Sequence, residues 1–129
     1  MRGAIRSVAR DAIRQRRFAA DAACTVCKTM DRIAMMQTLA PPICCDCAAR
    51  RSGLPTFEDH HPLGAANDPL TIPLRLSTHR SFSDRQYDWP PGVVDNPAGA
   101  ETVRPVALRY ALTDLTAYFA LRTGCRHAA

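Results

Sequence analysis

Phe57-Glu58-Asp59-His60-His61, then Asn67-Asp68, then Leu70-Thr71-Ile72-Pro73-Leu74, then His79-Arg80 is the stretch that decides the fold. Residues 57–61 suit a short strand, and Pro62 with Gly64 turns the chain away from it. Residues 70–74 suit a second strand, which Pro73 confines to an edge because it lacks a ladder donor. Ser77 or Thr78 can cap a short helix at His79, and Ser83-Asp84-Arg85-Gln86 has the spacing of a capping box that restarts the helix. Three of the chain's four histidines fall in this stretch. An imidazole takes a proton near neutral pH and is also a common metal ligand, so His60 and His61 beside Asp59 can hold a cation and still leave a base.

Upstream lie Cys24-Thr25-Val26-Cys27 and, after 16 residues, Cys44-Cys45-Asp46-Cys47. Two Cys-x-x-Cys knuckles at that separation match a tetrahedral four-thiolate zinc site, since each delivers two sulfurs to one side of the ion. Cys24, Cys27, Cys44 and Cys47 are therefore the structural zinc ligands. Cys45 reads as a small buried or spare thiol, and Cys125 as a free or packed one. Four thiolates close the coordination sphere, so this zinc holds the fold and leaves no position for substrate. Met30 to Leu39, between the knuckles, is helix-compatible and ends before Pro41-Pro42.

The chain has 129 residues, enough for one domain, with 47% apolar but only 6% aromatic residues. A core this poor in aromatics calls for support from a metal or a partner. Residues 1–51 hold ten Lys or Arg against four Asp, and residues 52–129 hold seven against eight acids, so a polyanion would land on the N-terminal part. There Ile5, Val8, Ala12, Ala9 and Ile13 recur at helical spacing, while Arg6, Arg10 and Arg14 lie four apart on another face. The expectation for residues 1–20 is an amphipathic basic helix whose arginines are either solvated or turned toward phosphate. At the other end, Pro105 fits the first turn of a last helix that Gly124 terminates. Its stripe of Leu108, Leu112, Leu115 and Phe119 reads as packing, with Tyr110 and Tyr118 at its edges. No run of 18 apolar residues could span a membrane, and no apolar export segment precedes the domain, so the expected location is cytoplasmic.

The order strand with an acid-His-His step, loop with Asn67, strand, helix with His79 resembles the HNH endonuclease family. The likeness covers roughly residues 57 to 87 through His60-His61-Pro62-Leu63-Gly64, Asn67, Thr71-Ile72-Pro73-Leu74, His79-Arg80 and Gln86, and the paired cysteine knuckles extend it back to Cys24. The resemblance implies a small α+β fold with a zinc-stabilised, treble-clef-like ββα-metal core at 57–88 and knuckles at 24–47, to which residue patterning alone adds the basic helix at 1–20 and the connection and amphipathic helix at 93–129. It also implies a one-metal phosphodiesterase acting on DNA, held mainly by its phosphate backbone. His61 would be the general base; His60 and His79 would ligate a catalytic Mg²⁺, Mn²⁺ or similar ion; Asn67 would ligate the ion or orient the base. Asp59 is the alternative ligand, in which case His60 becomes the base, because alternate strand residues face opposite sides.

The sequence departs from that family in a short loop of six steps from His61 to Asn67, and in Ser83 standing where some members carry another histidine. A rival reading keeps the zinc and the nucleic-acid or protein binding but makes the histidines structural. A third makes the C-terminal helix an assembly surface. A chain this small that cuts both DNA strands would act as a homodimer.

Overall fold

The computed structural model describes residues 2–36 and 41–121. Among these residues five helices and two strands follow one another as α1 (Arg2–Arg17), α2 (Cys45–Arg51), β1 (Phe57–His60), β2 (Ile72–Arg75), α3 (Leu76–Gln86), α4 (Pro91–Val94) and α5 (Val103–Leu121). It is a small α+β architecture. The strands pair antiparallel with Phe57 opposite Arg75, Glu58 opposite Leu74, Asp59 opposite Pro73 and His60 opposite Ile72. In a two-stranded ribbon both strands are edges, which is why Pro73 is accommodated inside β2. α3 follows β2 without a break and packs on both strands. It runs unbroken from Leu76 to Gln86, so the restart expected at Ser83 does not occur.

Two small cores flank this ribbon. The first gathers Phe18, Ala34, Met35 and Ile43 around the buried cysteines, with Leu76 of α3 packed against them. The second brings Leu63, Trp89, Val93 and Ala107 together beneath α5. Among the described residues no aromatic side chain other than Phe18 enters the first core, so sulfur supplies much of its buried volume.

The helix expected over Met30–Leu39 is replaced, within the described residues, by a single turn. Ala34 N–H donates to Asp31 O at 3.1 Å and Met35 N–H to Arg32 O at 3.3 Å, after which the chain extends into a bridge between Met35 and Cys44. Met36 N–H to Ile43 O at 2.9 Å and Cys45 N–H to Ala34 O at 2.8 Å complete that ribbon. Joining the two knuckles overrides local helix propensity. Residues 37–39 of the expected helix, together with Gly124 and Cys125, lie outside the described residues.

α1 corrects a second expectation. Val8 and Ile13, assigned to its apolar face, are 68% and 48% exposed, and the helix docks through its arginines. Arg10 Nε donates to Asp84 Oδ1 at 2.8 Å, a nitrogen of the same guanidinium to Asp88 Oδ1 at 3.0 Å, and Arg14 to Asp84 Oδ1 at 2.6 Å. Arg10 also lies over the Tyr87 ring, 5.6 Å from its centre. Two of the three stripe arginines are thus committed to α3. The stripe on α5 differs in the same way: Leu108, Leu112, Leu115 and Phe119 are exposed, and the wholly buried residue is Ala107. Tyr118 does act as an edge, its hydroxyl 3.0 Å from Thr78 Oγ1 and its ring 5.2 Å from that of Phe82.

Candidate functional site

The four cysteines converge. One sulfur from each of Cys24, Cys27, Cys44 and Cys47 lies within 4.8 Å of every other, and Cys27 and Cys44 are 3.7 Å apart. Ligands about 2.3 Å from a tetrahedral zinc ion stand roughly 3.8 Å from one another, so the spacing fits that ion. Both knuckles have local causes. Cys27 N–H approaches Cys24 Sγ at 3.5 Å and Cys44 N–H approaches it at 3.3 Å, while Lys28 takes φ 65° to turn the chain out of the first knuckle. Burial works against ionising Cys24, yet the N–H groups of Cys27, Cys44 and Val26 outweigh it and bring the thiol down to about 6. Cys47 is pushed up to about 12, mainly by burial and further by Cys24 beside it. One thiolate is stabilised ahead of the others, and a divalent cation would compensate the rest. Cys45 turns away from this group; burial first, then the neighbouring Asp46 charge, raise its thiol to about 11.

α2 grows out of the second knuckle and carries the link to the histidines. Asp46, wholly buried, accepts from Ser77 N–H at 3.0 Å and from the Ser77 hydroxyl at 2.5 Å, capping the start of α3 from a distance. Arg80, on the next turn of α3, donates to Ala34 O at 3.2 Å and Met35 O at 3.4 Å. His79 lies between these two anchors.

His60 ends β1 and is 4% exposed. Its ring centre is 5.2 Å from that of His79, the planes inclined at 66°, and 5.7 Å from that of Phe82. Burial first, and then electrostatic repulsion between the clustered imidazoles, hold His60 down to about 4, so it is neutral at pH 7. A neutral imidazole has the lone pair that a ligand or a base needs. Gln86 Nε2 donates to His61 O at 2.9 Å and stands 3.4 Å from His60 Nε2, a long approach. Alternation along β1 puts Glu58 on the same face as His60 and Asp59 on the opposite one. Glu58 Oε2 lies 2.6 Å from His79 Nδ1. Glu58 is not among the site residues expected from the sequence, although its two-residue spacing from His60 carries that signal.

His61 follows the end of β1 and is half-buried; its carbonyl accepts from Gly64 N–H at 3.0 Å. Asn67 staples the loop, donating from Nδ2 to Leu63 O at 2.9 Å and Val93 O at 2.8 Å. Gly64 is required there: its φ is +82°, and a Cβ would sit 3.3 Å from Asn67 Nδ2. The other end of the amide, Oδ1, is buried without a hydrogen-bond partner. The structure thus brings Glu58, His60 and His79 to one face, holds His61 and Asn67 in the adjoining turn, and turns Asp59 away. Among the described residues, only the four thiols meet the close convergence expected of a ready-made metal group.

Beside the histidines runs an apolar groove of about 280 Å³ between the ribbon and α5, lined by Ile72, Leu74, Phe82, Leu112 and Leu115 with His60 on its wall. Among the described residues no helix is long and apolar enough to cross a membrane. No family model matches the chain, and no curated protein or solved structure matches it at a significant level.

Proposed function

We propose that this chain is a metal-dependent DNA endonuclease of the HNH type, built on a zinc-held scaffold. The observation that carries the reading is the pairing of a neutral, buried His60 on β1 with His79 on α3, their ring centres 5.2 Å apart. Two imidazoles bound at about 2.1 Å to one ion have ring centres roughly 4.5 to 5.5 Å apart, so the pair suits a shared cation. A divalent ion such as Mg²⁺ or Mn²⁺ would polarise a phosphoryl oxygen and stabilise the departing 3′ oxygen.

The remaining steps belong to the chain's own residues. His61 takes a proton from the attacking water, whose oxygen forms the new bond to phosphorus as the bond to the 3′ oxygen breaks. Solvent returns a proton to that oxygen, leaving a 3′ hydroxyl and a 5′ phosphate. Asn67 holds the turn that carries His61, through its Nδ2 bonds to Leu63 O and Val93 O. With Arg10 and Arg14 engaged by Asp84, phosphate contacts fall to Arg50 and Arg51 at the end of α2 and to Arg85 on α3.

A second reading is favoured by one observation, that the four thiols alone form a converged metal group among the described residues. It is a zinc-held module that binds nucleic acid or a protein partner without cleaving. Nicking of supercoiled plasmid by the wild type and by His61→Ala, in Mg²⁺ and in Mn²⁺, separates the two. Cleavage that depends on His61 supports the nuclease; salt-sensitive DNA binding without cleavage supports the module.

A further inference from the structure

We propose that Glu58 is a positioning residue that sets the tautomer of His79 and thereby presents His79 Nε2 as the metal donor; this rests on the nuclease reading above. The argument begins in the strand. Glu58 and His60 are two apart on β1 and share the face on which α3 packs, and the antiparallel register fixes them opposite Leu74 and Ile72. His79 lies in the first turn of α3, which Asp46 caps through Ser77. Both ends of the contact are therefore set by backbone that cannot drift independently.

An ionised carboxylate only accepts, so at 2.6 Å His79 Nδ1 carries a proton and donates it to Glu58 Oε2. In the neutral ring, the form that ligates a metal, the lone pair then resides on Nε2. A carboxylate bound to the far nitrogen of a ligating histidine fixes the ring's rotation and raises its basicity, and removal of such a partner costs about 10- to 100-fold in metal affinity. Asp59 cannot substitute, because it lies on the other face of β1.

The Glu58 side chain is 56% exposed, so replacing it removes the acceptor without opening a cavity. The test uses the zinc-loaded full chain at pH 8, with the His79 tautomer read from ¹⁵N chemical shifts and Mn²⁺ affinity measured by titration. Wild type is expected to show His79 protonated on Nδ1. Glu58→Ala is expected to shift it toward the Nε2-protonated form and to weaken Mn²⁺ binding about 10- to 100-fold with zinc content unchanged. Glu58→Gln, whose amide oxygen still accepts, is expected to restore the tautomer. A wild-type His79 protonated on Nε2, or a tautomer that Glu58→Ala leaves unmoved while Mn²⁺ still binds, overturns the assignment and leaves the nuclease reading standing. Absence of Mn²⁺ binding by a wild type with the expected tautomer contradicts the nuclease reading while Glu58's control of His79 stands.

Discussion

Asp46 and Ser77, 31 residues apart, are joined by two hydrogen bonds: the Ser77 N–H to Oδ1 at 3.0 Å and its hydroxyl to Oδ2 at 2.5 Å. Asp46 sits between Cys45 and Cys47, so the second cysteine knuckle holds the first turn of the helix that bears His79. Asp46→Ala leaves the Ser77 N–H without this acceptor in a buried place, which costs about 1–3 kcal/mol. Urea unfolding should show that loss, with a smaller one for Asp46→Asn, whose amide oxygen still accepts. An unchanged midpoint for Asp46→Ala would mean the cap carries no stability.

Zinc removal should be more severe. The core around Phe18, Met35 and Ile43 is completed by the cysteines themselves, and structural zinc supplies on the order of 10 kcal/mol in small domains. Elemental analysis is expected to find one zinc per chain, and Cys24→Ser to lose it along with a cooperative thermal transition. A zinc-free chain with an unaltered transition would refute the structural role.

α1 is held by charge, since Val8 and Ile13 face solvent while Asp84 is shared by Arg10 and Arg14. Burial acts to raise the Asp84 carboxyl, but Arg14 and Arg10 outweigh it and keep it below the usual 3.8. Its folded-state pKa is thus depressed, so the stability it lends is present above about pH 3.8 and is lost as pH falls through the lower folded value. Asp84→Asn should speed amide exchange in α1 and leave α3 largely protected. Equal protection of α1 in the variant would show that something other than this carboxylate docks it.

Cysteine spacing was legible because two residues between thiols leave a knuckle little freedom, and the ribbon was legible from its apolar runs and turn residues. The Met30–Leu39 helix was not, since its fate is decided by Cys44 and Cys45 pairing back onto Met35 and Ala34. Nor could the sequence reveal that Arg10 and Arg14 would find Asp84 some 70 residues away. Glu58 lay within reach of the period-two rule that places it beside His60. The exposed leucines of α5 show the limit of periodicity, which reports a stripe without saying what faces it.

His60 offers a pH readout. Its folded value, about 4, lies below the ordinary 6.5, so between these limits the unfolded chain binds the proton and the folded chain does not. The stability contribution is full above pH 6.5 and declines as pH falls toward 4. An NMR titration of the imidazole should therefore show no protonation at pH 5.5, where an ordinary histidine is mostly charged. A midpoint near 6.5 would contradict the burial argument.

The most direct test of the central claim is cleavage of supercoiled plasmid by the zinc-loaded chain in Mg²⁺ or Mn²⁺. Wild type is expected to produce nicked circles with 5′ phosphate and 3′ hydroxyl ends, and His61→Ala to be slower by about 10²- to 10⁴-fold, as the loss of a general base requires. No nicking by the wild type, or equal nicking by a His61→Ala chain that retains its zinc, would contradict the account.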